Sequence, residues 1–184
     1  MPYGLFHDNS KKIAIRTITL LITLLPLSQV QSQDKAINSD SLFSADRISS
    51  IEIELPQKDW DFIRQQSRSF SESLGKETAE SPFEYVKGDV TIDGHKIEEV
   101  GIRKKGFLGS LNDERPSLKI KFDKYRDQDP VNGLDRLTLN NNNQDPSRVC
   151  QYLSYKLFRE SGTRSPRCGF AKVTVNGKYL GIYS

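Results

Sequence analysis

The chain has 184 residues, a formal net charge of +3, two cysteines and two histidines, with 28% charged and 35% hydrophobic residues. This length suits one domain with its own core once a leader is set aside. The near balance of charge excludes a generic nucleic-acid binder, and so few cysteines and histidines exclude a structural zinc site.

Lys11, Lys12 and Arg16 precede an apolar run from Ile13 to Leu27, with small and polar residues at Val30-Gln31-Ser32. This is the pattern of an export signal over residues 1–32, too short and threonine-interrupted for a bilayer span. The remainder is expected to be secreted or extracytoplasmic, at the cell surface or in the periplasm, with no membrane span after cleavage. Losing three basic residues and Asp8 leaves that remainder near +1, so the positive charge it keeps is local. Residues 33–47 are polar, lack apolar periodicity and read as a flexible leader.

Residues 48–55 alternate apolar and polar side chains as a half-buried strand does, and Pro56 then opens a helix carrying Trp60 and Ile63. Residues 67–81 read as a Ser/Glu-rich surface loop. Residues 83–92 and 96–105 are strands around Asp93-Gly94, a hairpin signal because both turn positions favour positive φ. Leu118, Ile120 and Phe122 alternate with Lys119 and Lys121, so the two lysines share a strand face. Residues 134–139 form another strand before the run Asn140 to Asn143, whose side chains are expected to satisfy loop backbone.

Asp145-Pro146 is a helix start, and Val149, Leu153 and Leu157 make an apolar stripe that ends at Gly162. Cys150 falls on this helix, where small thiols are commonly buried, and nothing places it beside Cys168. Residues 170–175 and 178–183 flank Asn176-Gly177 as a second tight hairpin. The order of elements implies an α+β domain with a mostly antiparallel sheet and a packed helix. Because the chain stops at Ser184 inside an apparent strand, the domain over residues 48–184 is expected to be truncated at its C-terminus.

Eight Lys or Arg residues fall between Ile102 and Arg126, against Asp113, Glu114 and Asp123. Such a local excess suits a phosphate-bearing ligand. Alternating lysines are also what any half-solvated strand shows, so the pattern alone leaves both readings open.

Four blocks occur in order: Ile102-Arg-Lys-Lys-Gly106; Arg115-Pro-Ser-Leu-Lys-Ile-Lys-Phe-Asp-Lys-Tyr125; Gly133-Leu-Asp-Arg-Leu-Thr-Leu-Asn-Asn141 with Asp145-Pro-Ser-Arg148; and Val173-Thr-Val-Asn-Gly-Lys-Tyr-Leu-Gly-Ile-Tyr183. Between the last two lie Leu157-Phe-Arg-Glu-Ser-Gly162 and Pro166-Arg167. Together they resemble the CotH-type, spore-coat-H-like family of atypical protein kinases over about residues 85–184. The resemblance implies the N-terminal lobe of an atypical kinase fold, ATP with Mg or Mn as cofactor, and transfer of phosphate to Ser/Thr of exported or cell-surface proteins.

By the same resemblance Arg103, Lys105, Gly106 and Ser110 match the family's basic strand and phosphate-facing loop, and Lys119 or Lys121 is the nucleotide lysine. The loop departs from the usual Gly-Asn-Ser-Ser form, reading Gly106-Phe-Leu-Gly-Ser110. No catalytic acid and no metal ligand is assigned, so this chain alone is expected not to catalyse. The alternative function is a non-catalytic kinase-like protein for surface or coat assembly. Binding of a polyanionic carbohydrate to the basic stripe ranks after both.

Overall fold

The computed structural model describes residues 37–67, 81–107 and 110–184, so the expected export signal and most of the 67–81 loop lie outside the described residues. The elements are α1 (Ser39–Leu42), β1 (Ile48–Glu54), α2 (Gln57–Gln65), β2 (Val86–Ile92), β3 (His95–Lys105), β4 (Ser117–Lys121), β5 (Arg136–Leu139), α3 (Cys150–Glu160), β6 (Phe170–Val175) and β7 (Lys178–Tyr183).

The seven strands form one sheet in the order β5-β4-β3-β2-β1-β6-β7, curled into a half-barrel. Five of its six pairings are antiparallel, as the hairpins require. The sixth corrects the expectation to a mixed sheet: β1 and β6 run parallel, with Ile51 opposite Val173 and Ile53 opposite Val175. Strand β2 already covers one edge of β1. The other edge is filled by a chain returning after α3, and a long connection can bring a strand back in either direction.

Both tight turns form as read, with positive φ at Asp93 and Gly94 and at Asn176 and Gly177. Asn176 also reaches beyond its turn. Its Oδ1 accepts the Leu55 N–H at 3.1 Å, and its own N–H donates to the Ile53 carbonyl at 2.9 Å. The asparagine thereby locks the register of the parallel pair. Register shifts at Gly88/Val90 and Val173/Thr174 add local bends that help the sheet curl. At Gly88 a side chain would sit 2.8 Å from the Glu54 carbonyl oxygen, so only glycine allows this approach of β2 to β1.

The inner face carries the core, including Ile51, Ile53, Val90, Ile92, Ile102, Leu118, Ile120 and Val173, all essentially inaccessible. Each such side chain contributes roughly 1.5–3 kcal/mol through removal from water. Helix α2 closes part of this core with Trp60 and Ile63.

Helix α3 departs from expectation. It buries none of its residues, and Leu153 and Leu157 are 54% and 64% exposed. The packed helix is therefore α2, while α3 touches the sheet through polar and aromatic side chains such as Tyr152, whose ring is tilted 40° to that of Phe170 at 5.2 Å between centroids. It also begins at Cys150 rather than at Asp145. Arg148 has a positive φ that cannot be helical, so Asp145 caps from a distance by accepting the Cys150 N–H at 2.8 Å. Cys150 is exposed and Cys168 buried, and both are free thiols.

The stretch read as a flexible leader is structured over residues 37–47. Asn38 caps α1 through the Asp40 N–H, the Ile37 N–H bonds the Pro130 carbonyl, and Arg167 pairs with Asp40 at 2.7 Å. Ile37 and Leu42 are buried. Two apolar residues suffice to anchor so short a piece, and no periodicity announces them.

A basic sheet face with an asparagine-lined cleft

The outer face of β3, β4 and β5 is set by strand alternation and register. Arg103 lies opposite Lys119, Lys105 opposite Ser117, Gly101 opposite Lys121, and on β5 Thr138 faces Lys119 and Arg136 faces Lys121. The four candidate cations Arg103, Lys105, Lys119 and Lys121 thus share one face. Two of the directly opposed pairs are like-charged, Arg103 with Lys119 and Lys121 with Arg136, an arrangement that costs folding stability.

Some of this charge is answered locally. Lys121 pairs with Asp123 at 3.0 Å, and Arg136 with its neighbour Asp135. Arg103 donates to the Ser81 hydroxyl and lies 5.1 Å over the Tyr85 ring. The Lys119 ammonium has no hydrogen bond and no ion pair among the described residues.

Lys105 stands where this face meets a polar cleft of about 460 Å³. Its Nζ donates to Asn140 Oδ1 at 2.6 Å, and Asn140 Nδ2 donates to Gln151 Oε1 at 2.9 Å, which ties the end of β5 to the first turn of α3. Burial, and then the neighbouring charge of Lys119, hold the Lys105 amine below the ordinary lysine range. Neither influence is offset by a carboxylate, so an anion entering the cleft would meet an unneutralised ammonium.

Gly106 and Ser110 line the same cleft. A side chain at Gly106 would lie 2.8 Å from Leu111 Cδ2, so glycine permits the tight approach of the loop to itself. The Ser110 hydroxyl accepts the Phe107 N–H at 2.8 Å and donates to the Phe107 carbonyl at 2.9 Å, so it holds the turn closed. Phe107 is exposed, and Leu108 and Gly109 lie outside the described residues.

Asn141 is the residue that sequence reading undervalued. It is buried and bonds the loop in three places: its Nδ2 donates to the Ser110 and Arg115 carbonyls, and its backbone N–H donates to Ser117 Oγ. The asparagine run does satisfy loop backbone as expected, and in doing so it shapes the cleft wall. Asp145, at the cleft rim, accepts from Ser147 and from the Cys150 N–H, which pull its carboxyl down to about 2. It caps α3 as an anion.

The neighbouring Lys104 points the opposite way. It is 1% exposed on the inner face, and its Nζ donates to the Arg64 carbonyl and, at 2.7 Å, to Asp113 Oδ1. This pins the C-terminal end of α2 to the loop that leads into β4. No signal in the sequence separates Lys104 from its two cationic neighbours except the alternation of β3 itself. Among the described residues there is no cluster of three or more His, Cys, Asp or Glu side chains able to hold a metal ion.

A comparison with protein families matches residues 102–184 to the family described as CotH kinase protein, the family whose motif blocks the sequence resembles. That match begins inside β3 and spans the basic face, the asparagine run, α3 and the final hairpin. No curated protein matches the chain. The segment from Ile102 to Ser184, somewhat under half of the chain, is thus similar to the CotH kinase protein family.

Proposed function

We propose that this chain supplies the nucleotide-holding face of an exported CotH-type atypical kinase, which transfers phosphate from ATP to Ser/Thr of exported or cell-surface proteins. The observation that carries the reading is the half-buried Lys105, diagonal on the same sheet face to Lys119, whose ammonium has no ion pair among the described residues, beside an asparagine-lined cleft. Crowded, incompletely neutralised cations favour a multiply charged anion, and a triphosphate meets that demand.

Arg103, Lys105 and Lys119 would hold the phosphates, and the backbone around Gly106 would border them. Lys121 stands one row away, already paired with Asp123. The Mg or Mn ion would screen phosphate charge. No metal ligand is assigned to the described residues, and no catalytic acid either, so this face accounts for grip on the nucleotide and not for the chemical step.

Isothermal titration of the chain with ATP in the presence of Mg²⁺ or Mn²⁺ tests the reading. Micromolar binding is expected. Lys105→Ala and Lys119→Ala should each weaken it about ten-fold or more, as removal of a charge-assisted contact does. Absence of ATP binding, or binding indifferent to both substitutions, would overturn it.

A non-catalytic assembly module is the second reading, and the exposed apolar stripe of α3 favours it. In that case the chain would fail to bind ATP, and Leu153→Ser with Leu157→Ser would abolish its self-association or its association with a coat partner.

A further inference from the structure

Arg103 stands among charges that no carboxylate answers. Lys119 lies opposite it on β4, and Lys124 shares the Tyr85 ring with it, the two cations lying 5.1 Å (Arg103) and 5.6 Å (Lys124) from the ring centroid. Neither Arg103, Lys119 nor Lys124 has an ion pair among the described residues. The Nε–H of Arg103 is in addition buried and meets no acceptor there. The guanidinium is therefore short of acceptors for its donors.

The groups that Arg103 does meet belong to the segment ahead of β2. Its guanidinium donates to the Ser81 hydroxyl and, at 3.4 Å, to the Phe83 carbonyl. Phe83 is buried and Ser81 exposed, and Pro82 disfavours helical backbone at Ser81, so a hydroxyl open to solvent is held against the guanidinium. Ser41 is likewise bonded by an arginine, but that residue, Arg47, already pairs with Asp93 at 2.7 Å. Of the two serines, Ser81 is the one whose guanidinium still lacks an anion.

We infer that Ser81 is a phosphate-acceptor site whose phosphoserine docks on Arg103 and closes the basic face to other phosphate-bearing ligands. A phosphoserine adds nearly two negative charges and three strong acceptor oxygens. Carried on an oxygen that Arg103 already bonds, the phosphate gives the guanidinium charge-assisted hydrogen bonds and relieves its opposition to Lys119. The phosphate comes from ATP. Ser81 Oγ forms a bond to the γ-phosphorus, and the bond from that phosphorus to the β,γ-bridging oxygen breaks. ADP leaves with the electron pair, and the hydroxyl proton passes to a base of the transferring kinase. That kinase is a separate molecule, since no catalytic acid is assigned in this chain. The docking stands on Ser81 and Arg103 alone. Its effect on nucleotide rests on the function proposed above, in which Arg103 and Lys119 hold the phosphates.

The test installs phosphoserine at residue 81 through an expanded genetic code, beside the unmodified chain and the Arg103→Gln form of each. Phosphoserine is expected to move the Arg103 Nε–H resonance, a comparison that leaves Arg103 unaltered. A phosphatase should release its phosphate about ten-fold or more slowly than from the Arg103→Gln form. ATP titrated with Mg²⁺ should bind the phosphorylated chain about ten-fold or more weakly than the unmodified one. Peptide mass spectrometry of the protein isolated from its own cells should find phosphate on Ser81. An unmoved resonance, phosphate release indifferent to Arg103, or native protein without phosphate on Ser81 would overturn the inference. If the unmodified chain binds no ATP, the proposed function falls, while the resonance and the release rates still decide the docking. If ATP binds both forms equally, the closure of the face is overturned and the proposed function stands.

Discussion

Helices α2 and α3 carry similar apolar stripes and meet opposite fates. Trp60 and Ile63 of α2 are buried against the inner face of the sheet, whereas Leu153 and Leu157 of α3 stand in the open. The difference lies in their surroundings. Helix α2, between β1 and β2 in the chain, sets Trp60 and Ile63 into the hydrophobic cluster of the sheet. Helix α3 instead meets Asn140, which is bonded by Lys105, and Phe170 through Gln151 and Tyr152. An apolar stripe identifies a face that gains from burial; the surrounding structure decides whether burial occurs.

The widest separation between the two helices should appear in stability. Trp60→Ala should cost about 3–5 kcal/mol by creating a cavity in the core. Leu157→Ala should stay within about 0.5 kcal/mol, as an exposed substitution does. Urea denaturation of the two variants measures both, and a comparable loss for Leu157→Ala would show that α3 is packed in solution.

Lys104 gives a finer test, because it joins α2 to the loop beside the basic face. Lys104→Met keeps the aliphatic stem but loses both hydrogen bonds, at a cost of about 1–2 kcal/mol. The stretch from Gly106 to Pro116 should also become more sensitive to protease. Asp113→Asn should cost less, since that carboxylate is 67% exposed and partly screened by water.

The smallest effect concerns the start of α3. Asp145 has its carboxyl held at about 2, below the ordinary 3.8, by Ser147 and by the Cys150 N–H. A depressed folded-state pKa contributes stability that is present above the unfolded value and lost as pH falls from near 4 toward 2. Asp145→Asn should flatten that part of the stability profile, and the protection of the Cys150 and Gln151 amides, relative to their intrinsic exchange rates, should no longer change between about pH 4 and 2. An unaltered profile would show that the cap acts without its charge.

Much of the sheet is legible because strands and tight turns are local events. Asp93-Gly94 and Asn176-Gly177 specify their hairpins through φ, and the alternation of Leu118, Ile120 and Phe122 with lysines identifies both the core face and the charged face. What escaped reading involves residues distant in sequence. The parallel pairing of β1 with β6 joins segments more than a hundred residues apart. The structured 37–47 stretch owes its order to Pro130 and Arg167. Asn141 looks like its neighbours until the loop it bonds is folded against it.

The candidate site divides along the same line. Its cations stand in the sequence as a charge excess, and strand parity alone distributes them: Arg103, Lys105, Lys119 and Lys121 outward, Lys104 inward. The like-charge oppositions and the hydrogen bond from Lys105 to Asn140 exist only once three strands are aligned. The sequence by itself determined the strands, the turns, which strand side chains face the core and the CotH resemblance, because each depends on spacing within a few residues or on motifs in order. Tertiary structure alone decided which helix is buried, which groups Lys104 and Lys105 bond and which strands β1 pairs with, because each depends on what long-range contacts place alongside it.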